Sequence, residues 1–181
     1  ESLAQFDEIY NQVVTVNGVS KAWAMTGWRL GYIGAPKEIA AACSKVQGQF
    51  TSGASSITQR ASIAAMEKEP SFLKDMLDAF KNRRKLVLDA LQKMEGVKVN
   101  EPEGAFYFFP DISSFFGKSF GSHNINNAND LSLYLLEEAL VALVTGDAFG
   151  DPNCIRISYA TDEATLTKAM NRIAEALQKL S

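Results

Sequence analysis

The chain has 181 residues, enough for one ordinary domain or two small ones. Hydrophobic residues make up 46% and charged residues 22%, the balance of a folded globular chain rather than a disordered or fibrous one. With 18 Lys and Arg against 21 Asp and Glu the net charge is -3, which removes the broad basic footprint of a nucleic-acid binder.

No apolar run approaches the roughly 18 residues of a membrane span, and residues 1–5 do not read as a signal peptide. The two cysteines, Cys43 and Cys154, lie far apart without metal-ligand spacing and read as free thiols in a reducing compartment. No Asn-x-Ser/Thr sequon occurs. A cytoplasmic location is expected, with neither a membrane nor a nucleic-acid partner.

Val13, Val14 and Val16 form a short β-branched run that stops at Asn17-Gly18, a turn signal. A second short apolar run, Gly31 to Ala35, stops at Pro36. From there Ile39, Cys43, Val46 and Phe50 recur at helical spacing, and Pro36 suits the first turn of that helix. Strand, loop, strand and helix in this order are the grammar of a wound α/β sheet.

Thr51 to Ser56 is a polar loop, followed by a helix through Ile57 to Glu67. A long helix is predicted over about 71–95, with Leu73, Met76, Leu77, Phe80, Val87, Leu91 and Met94 on one face and Gly96 as its cap. At about 24 residues it would run about 36 Å, long enough to join two units. The expected division is therefore residues 1–80 and residues 81–181.

Strand candidates follow at Val97 to Val99 and Ala105 to Phe109, then a polar loop from Gly117 to Asn129. A helix from Asp130 to about Ala139, a strand from Leu140 to Val144 and the turn Gly146-Asp147-Ala148-Phe149-Gly150 come next. Ile155 to Tyr159 alternates as a strand, and the last helix carries Leu166, Ala169, Met170, Ile173, Ala174 and Leu177 as an apolar stripe behind an Asp162 cap.

Several chemistries are absent as motifs: there is no phosphate loop and no dinucleotide fingerprint, and a single histidine rules out a histidine-rich metal site. That histidine, His123, sits in an Asn-rich loop and reads as a solvated bystander. Between Asp7-Glu8 and Glu38 there is no carboxylate, yet Lys21, Arg29 and Lys37 fall in that window. One reading is that a bound anion supplies the counter-charge, and that apolar Trp23, Met25 and Trp28 favour the neutral, nucleophilic form of Lys21. The other is two surface cations beside core tryptophans. Arg156 alternates with Ile155 and Ile157, and is either an edge-strand gatekeeper or a fork for a carboxylate or phosphate.

The stretch from Thr15 to Tyr32, with Ser20-Lys21 followed by Thr26-Gly27-Trp28-Arg29-Leu30-Gly31-Tyr32, resembles the lysine segment of class I (fold-type I) pyridoxal-phosphate aminotransferases, and within them the bacterial aspartate aminotransferase branch. Glu103-Gly104-Ala105-Phe106-Tyr107, Gly146 to Gly150 and Ile155 to Ala160 fall in the order of that family, so the resemblance covers essentially the whole chain. It implies an α/β fold: the end of the wound sheet of a large cofactor-binding domain with its helices (1–80), then a small α+β domain (81–181). It implies pyridoxal 5'-phosphate as cofactor and no metal. Lys21 would condense with the cofactor aldehyde and act as the catalytic base, Arg29 would hold the cofactor phosphate, and Arg156 would bind the substrate α-carboxylate. The implied reaction is transamination between an amino acid and a 2-oxo acid, in first place aspartate with 2-oxoglutarate, by an enzyme that is a homodimer.

The resemblance corresponds to the C-terminal half of such an enzyme. The residues that stack on the cofactor ring and pair with its nitrogen have no counterpart, and Asp7-Glu8-Ile9-Tyr10 lies too close to Lys21 to be the family motif it imitates. Many relatives carry a phosphate-binding Ser at the position of Gly18, a contact that would be missing here or moved to Ser20. The chain is therefore expected to be a fragment, inactive alone, that self-associates through uncovered apolar faces. Other readings remain open: an interaction domain of the same fold, an aromatic or alanine aminotransferase, or a related lyase. Gly104-Ala105-Phe106 and Phe149 line either the substrate pocket or the core. The Thr51 to Ser56 loop either reaches a neighbouring subunit's cofactor phosphate or is a plain flexible loop.

Overall fold

A computed structural model describes residues 2–181 and divides the chain into two compact units, Glu1–Leu73 and Lys74–Ser181. Helices and short strands alternate, giving the mixed α/β architecture that the order of runs predicts. Within the described residues every strand pair is antiparallel.

In the first unit, β1 (Thr15–Gly18) and β2 (Gly31–Gly34) form a hairpin in the register Thr15↔Gly34, Val16↔Ile33, Asn17↔Tyr32, Gly18↔Gly31. Asn17-Gly18 is thus the paired end of a strand and not a turn. The Asn17 side-chain oxygen accepts from the Gly18 N–H at 2.8 Å, a local bond that the dipeptide makes without reversing the chain. The connector holds a one-turn helix, α1 (Val19–Ala22), and a 3-10 turn at Thr26–Trp28. Its two ends are tied by the Val19 N–H donating to the Leu30 carbonyl at 3.3 Å.

Two helices follow, α2 (Lys37–Phe50) and α3 (Ser56–Met66). Pro36 stands at the N-cap of α2, one residue before its first turn. The periodic face Ile39, Cys43, Val46, Phe50 is exposed along its whole length, so helical spacing located the helix while nothing within this unit covers its apolar stripe. Among the described residues of this unit, only Val19 and Met25 are buried apolar side chains.

The second unit holds the core. Helix α4 (Lys74–Leu91) ends four residues before the expected stop near residue 95, and turns carry the chain on to Gly96, whose φ is +86°. Its buried Val87, Leu88 and Leu91 pack with α5 (Ala128–Glu138) and α6 (Glu163–Gln178), whose inward residues are Leu131, Tyr134 and Leu135, and Leu166, Met170, Ile173 and Leu177. Asp162 caps α6 as its position predicts, accepting from the Thr165 N–H at 2.8 Å. The Tyr134 hydroxyl donates to the Ala176 carbonyl at 2.8 Å and fixes α5 against α6.

These helices cover a three-stranded sheet in the order β3 (Tyr107–Phe108), β7 (Ile155–Ser158), β6 (Val144–Thr145). The strand expected over Ala105 to Phe109 shortens to Tyr107–Phe108 and the one expected over Leu140 to Val144 is displaced to Val144–Thr145; Ala105 and Leu140, where the two were expected to begin, take left-handed φ values of +58° and +55° that no ladder accommodates. Val97 to Val99 contributes a single bridge, Lys98 to Asp111. The polar loop from Gly117 to Asn129 hides a small hairpin, β4 (Ser119–Phe120) with β5 (His123–Asn124). His123 on β5 is not solvated as expected: its ring packs edge-on to Tyr134 at 5.3 Å and its Nε2 stands 3.6 Å from carboxylate oxygens of Glu137 and Glu138.

Candidate functional site

Lys21 lies in the last turn of α1 and Arg29 closes the 3-10 turn, so both belong to the connector that the β1–β2 hairpin shuts. The Lys21 side chain is exposed; the apolar enclosure expected from Trp23 and Met25 is not built around it by this unit. Trp23, Met25 and Trp28 instead turn to α3, where they line an apolar cavity of about 410 Å³ with Ala61, Ala65 and Phe72.

Arg29 has a left-handed backbone, φ +53° and ψ +51°, a conformation that costs a non-glycine residue about 1–2 kcal/mol. One guanidinium N–H donates to the Thr26 carbonyl at 2.9 Å, which folds the side chain back along the turn. Arg29 forms no ion pair within its own unit among the described residues. It lines a cavity of about 920 Å³ between the hairpin and α2–α3, together with the side chains of Ser44, Gln47, Thr51, Ser55 and Thr58. A guanidinium with N–H groups to spare, on a cavity that several hydroxyls also line among apolar residues, can serve as a phosphate receptor, so these residues fit the phosphate end of the family's cofactor. Thr51 and Ser55 belong to the loop that the sequence offered for a neighbouring subunit's phosphate and here line the cavity of their own chain's Arg29, whereas Ser44 and Thr58 gave no signal, because they come from two helices that converge only after folding. Asp7 and Glu8 start a 3-10 turn, Asp7–Gln12, ahead of β1.

Arg156 sits on β7, the middle strand of its sheet, opposite Val144 of β6. It is half-buried and forms no ion pair within its own unit among the described residues, so it is no edge-strand gatekeeper. Its guanidinium carbon stands 4.4 Å from the centre of the Tyr107 ring and 4.2 Å from that of Phe149. Tyr107 had drawn no attention in the sequence as an arginine partner. The signal was available in principle: Tyr107 pairs with Ser158, two residues beyond Arg156 and on the same face. Phe106 lies half-buried against Tyr107 at 4.5 Å and Phe80 at 6.2 Å, while the Ala105 carbonyl accepts from the Tyr159 hydroxyl at 3.0 Å.

Among the described residues no cluster of three or more His, Cys, Asp or Glu could hold a metal ion, and no helix is long and apolar enough to cross a membrane. Both cysteines are free, Cys43 exposed and Cys154 buried. Burial, with Asp151 alongside, pushes the Cys154 thiol up to about 11.

Comparison with known proteins gives these residues a context. The sequence profile of the family described as Aminotransferase class I and II matches residues 2–173. A bifunctional aspartate aminotransferase and glutamate/aspartate-prephenate aminotransferase of Petunia hybrida is 51% identical over 97% of this chain and 38% of its own length. An aspartate aminotransferase of Rhizobium meliloti (strain 1021) is 49% identical over 94% of this chain and 42% of its own. Among solved structures, the aspartate aminotransferase from Rhizobium meliloti superposes with a TM-score of 0.96 at 47% identity, covering 99% of this chain and 46% of that one. The aromatic aminotransferase from Pyrococcus horikoshii OT3 gives 0.88 at 36% identity, covering 98% and 46%. The chain thus spans less than half the length of the relatives it matches. With a family profile matched over nearly its whole length and a structural likeness of this degree, the chain belongs to the class I and II aminotransferases, which are pyridoxal-phosphate-dependent enzymes of fold type I.

Proposed function

We propose that these residues form the C-terminal part of an aspartate aminotransferase that converts L-aspartate and 2-oxoglutarate to oxaloacetate and L-glutamate by a ping-pong mechanism. Residues 1–80 would be the end of its large cofactor-binding domain and residues 81–181 its small domain. The observation that carries the reading is Arg29, held in a strained turn without an ion pair in its unit among the described residues, on a cavity that Ser44, Thr51, Ser55 and Thr58 also line. The names of the relatives at 45–51% identity support aspartate as substrate.

Lys21 and Arg29 would hold pyridoxal 5'-phosphate, Lys21 at the aldehyde and Arg29 at the phosphate. Bound there, the cofactor supplies the electron-withdrawing ring that makes the substrate α C–H bond acidic. The Lys21 Nζ would accept the substrate α-proton as general base. Arg156 would grip the α-carboxylate through two parallel N–H donors and so fix the orientation of the substrate. We infer that residues 1–181 alone are inactive, that the active enzyme is a cytoplasmic homodimer, and that the distal carboxylate of aspartate is read by residues outside this chain.

Hydride reduction of the full-length enzyme followed by peptide mass spectrometry tests the assignment. The cofactor mass is expected on Lys21, and Lys21→Ala is expected to lose both the label and the visible cofactor absorption. A label on any other lysine overturns it. Aromatic specificity is the second reading, favoured by the likeness to the Pyrococcus horikoshii enzyme; the ratio of kcat/KM for aspartate to that for phenylalanine separates the two.

A further inference from the structure

Resting on the reading of Arg156 as the carboxylate receptor, we propose that Tyr107 and Phe149 are positioning residues that clamp its guanidinium between their rings and leave only its in-plane N–H edge for the substrate. Arg156 is on the middle strand of the sheet. Tyr107 comes from β3 on one side of it, and Phe149 from the 3-10 turn Gly146–Phe149 that follows β6 on the other. The ring centres lie 4.4 and 4.2 Å from the guanidinium carbon. No ring–ring contact joins Tyr107 to Phe149 among the described residues, as expected if they approach from different sides.

Each ring has its own support. Phe106 packs against Tyr107 with ring centres 4.5 Å apart, and Phe109 meets Phe149 edge-on at 6.3 Å and 89°. An unsupported arginine on a strand samples many rotamers and loses that freedom on binding. Two π faces remove the freedom beforehand, and they displace water from a cation that is weakly hydrated to begin with. The five N–H donors lie in the guanidinium plane, so covering its faces costs none of them. What remains is a flat fork, which matches a planar carboxylate in two-pronged contact.

The test uses the full-length enzyme with Tyr107→Leu, Phe149→Leu, Tyr107→Phe and Arg156→Lys, each checked for folding by thermal melting. Two quantities are read: KM and kcat for the amino acid, and the Kd of an analogue methylated at Cα, which binds but has no α-proton to lose. Tyr107→Leu and Phe149→Leu are expected to raise KM and Kd together by about 3- to 30-fold, the range of an arginine–aromatic contact, with kcat falling much less. Tyr107→Phe keeps the π face and is expected to stay within about twofold of the parent on the same reasoning. Phe149 is half-exposed, so Phe149→Leu carries the test even if Tyr107→Leu fails to fold. Unchanged KM and Kd in the leucine variants, beside a strong rise in Arg156→Lys, would overturn the clamp and leave Arg156 as receptor. Unchanged values in Arg156→Lys would overturn both.

Discussion

Gly146 to Gly150 carries two glycines that the structure needs for different reasons, and replacing each by alanine separates them. At Gly146 an added Cβ would come 2.9 Å from the Cys154 carbonyl carbon and closer still to the carbonyl oxygens of Cys154 and Asp151. All three are backbone atoms, so no side chain can swing away. The segment is pinned on both sides: the Gly146 N–H donates to the Cys154 carbonyl at 2.8 Å and the Gly146 carbonyl accepts from the Asp151 N–H at 3.2 Å. Relieving the overlap means giving up one or both bonds, about 1 kcal/mol each, on top of about 1–3 kcal/mol for forcing extra volume into a packed site. Gly146→Ala is expected to cost about 3 kcal/mol and, at roughly 4 °C per kcal/mol for a unit of this size, to lower Tm by roughly 12 °C. At Gly150 an added Cβ meets no atom within 4 Å, but φ is +89°. Gly150→Ala therefore pays only the left-handed backbone, about 1 kcal/mol and roughly 4 °C. Thermal unfolding by far-ultraviolet circular dichroism measures both. If Gly146→Ala melts no lower than Gly150→Ala, the close approach is not what selects glycine there.

Two further outcomes follow from the titratable groups. The Asp111 carboxylate is held below its usual range, chiefly by hydrogen bonds from Ser113 and then by Lys98. Its stabilising contribution is complete above the ordinary carboxylate range near about pH 4 and disappears as pH falls through its lower folded value. Asp111→Asn should accordingly flatten the acid limb of a stability–pH curve, and an unaltered limb would refute the linkage. At pH 8 a disulfide-exchange reagent should label exposed Cys43 quickly, and buried Cys154, with its thiol at about 11, only after unfolding. Equal rates of labelling in the folded protein would contradict the burial.

Sequence alone disclosed most where a local rule also decides the tertiary outcome. Asp162 and the stripe Leu166, Met170, Ile173, Leu177 place α6 correctly because a cap and an apolar face act within one element. It disclosed least where a partner decides. Asn17-Gly18 carries a turn composition but pairs with Gly31-Tyr32, and the strands around Tyr107 and Val144 extend only as far as their neighbours do. The same division runs through the site. The spacing of Lys21 and Arg29 is visible because one short connector holds both. The rings around Arg156 are not, because they depend on registers between segments that lie far apart in the chain.

The bare apolar faces of Glu1–Leu73 bear on how this polypeptide behaves while it is being made. Val16, Phe50 and Ile57 are 74%, 83% and 73% exposed, and among its described residues only two apolar side chains are shut away from water. Residues of this kind are what chaperones capture on a ribosome-bound chain and what drives nascent protein into inclusion bodies. The second unit, with its filled interior, can act as a nucleus for folding, whereas the exposed apolar faces of the first are the part that must be covered to keep the chain from aggregating.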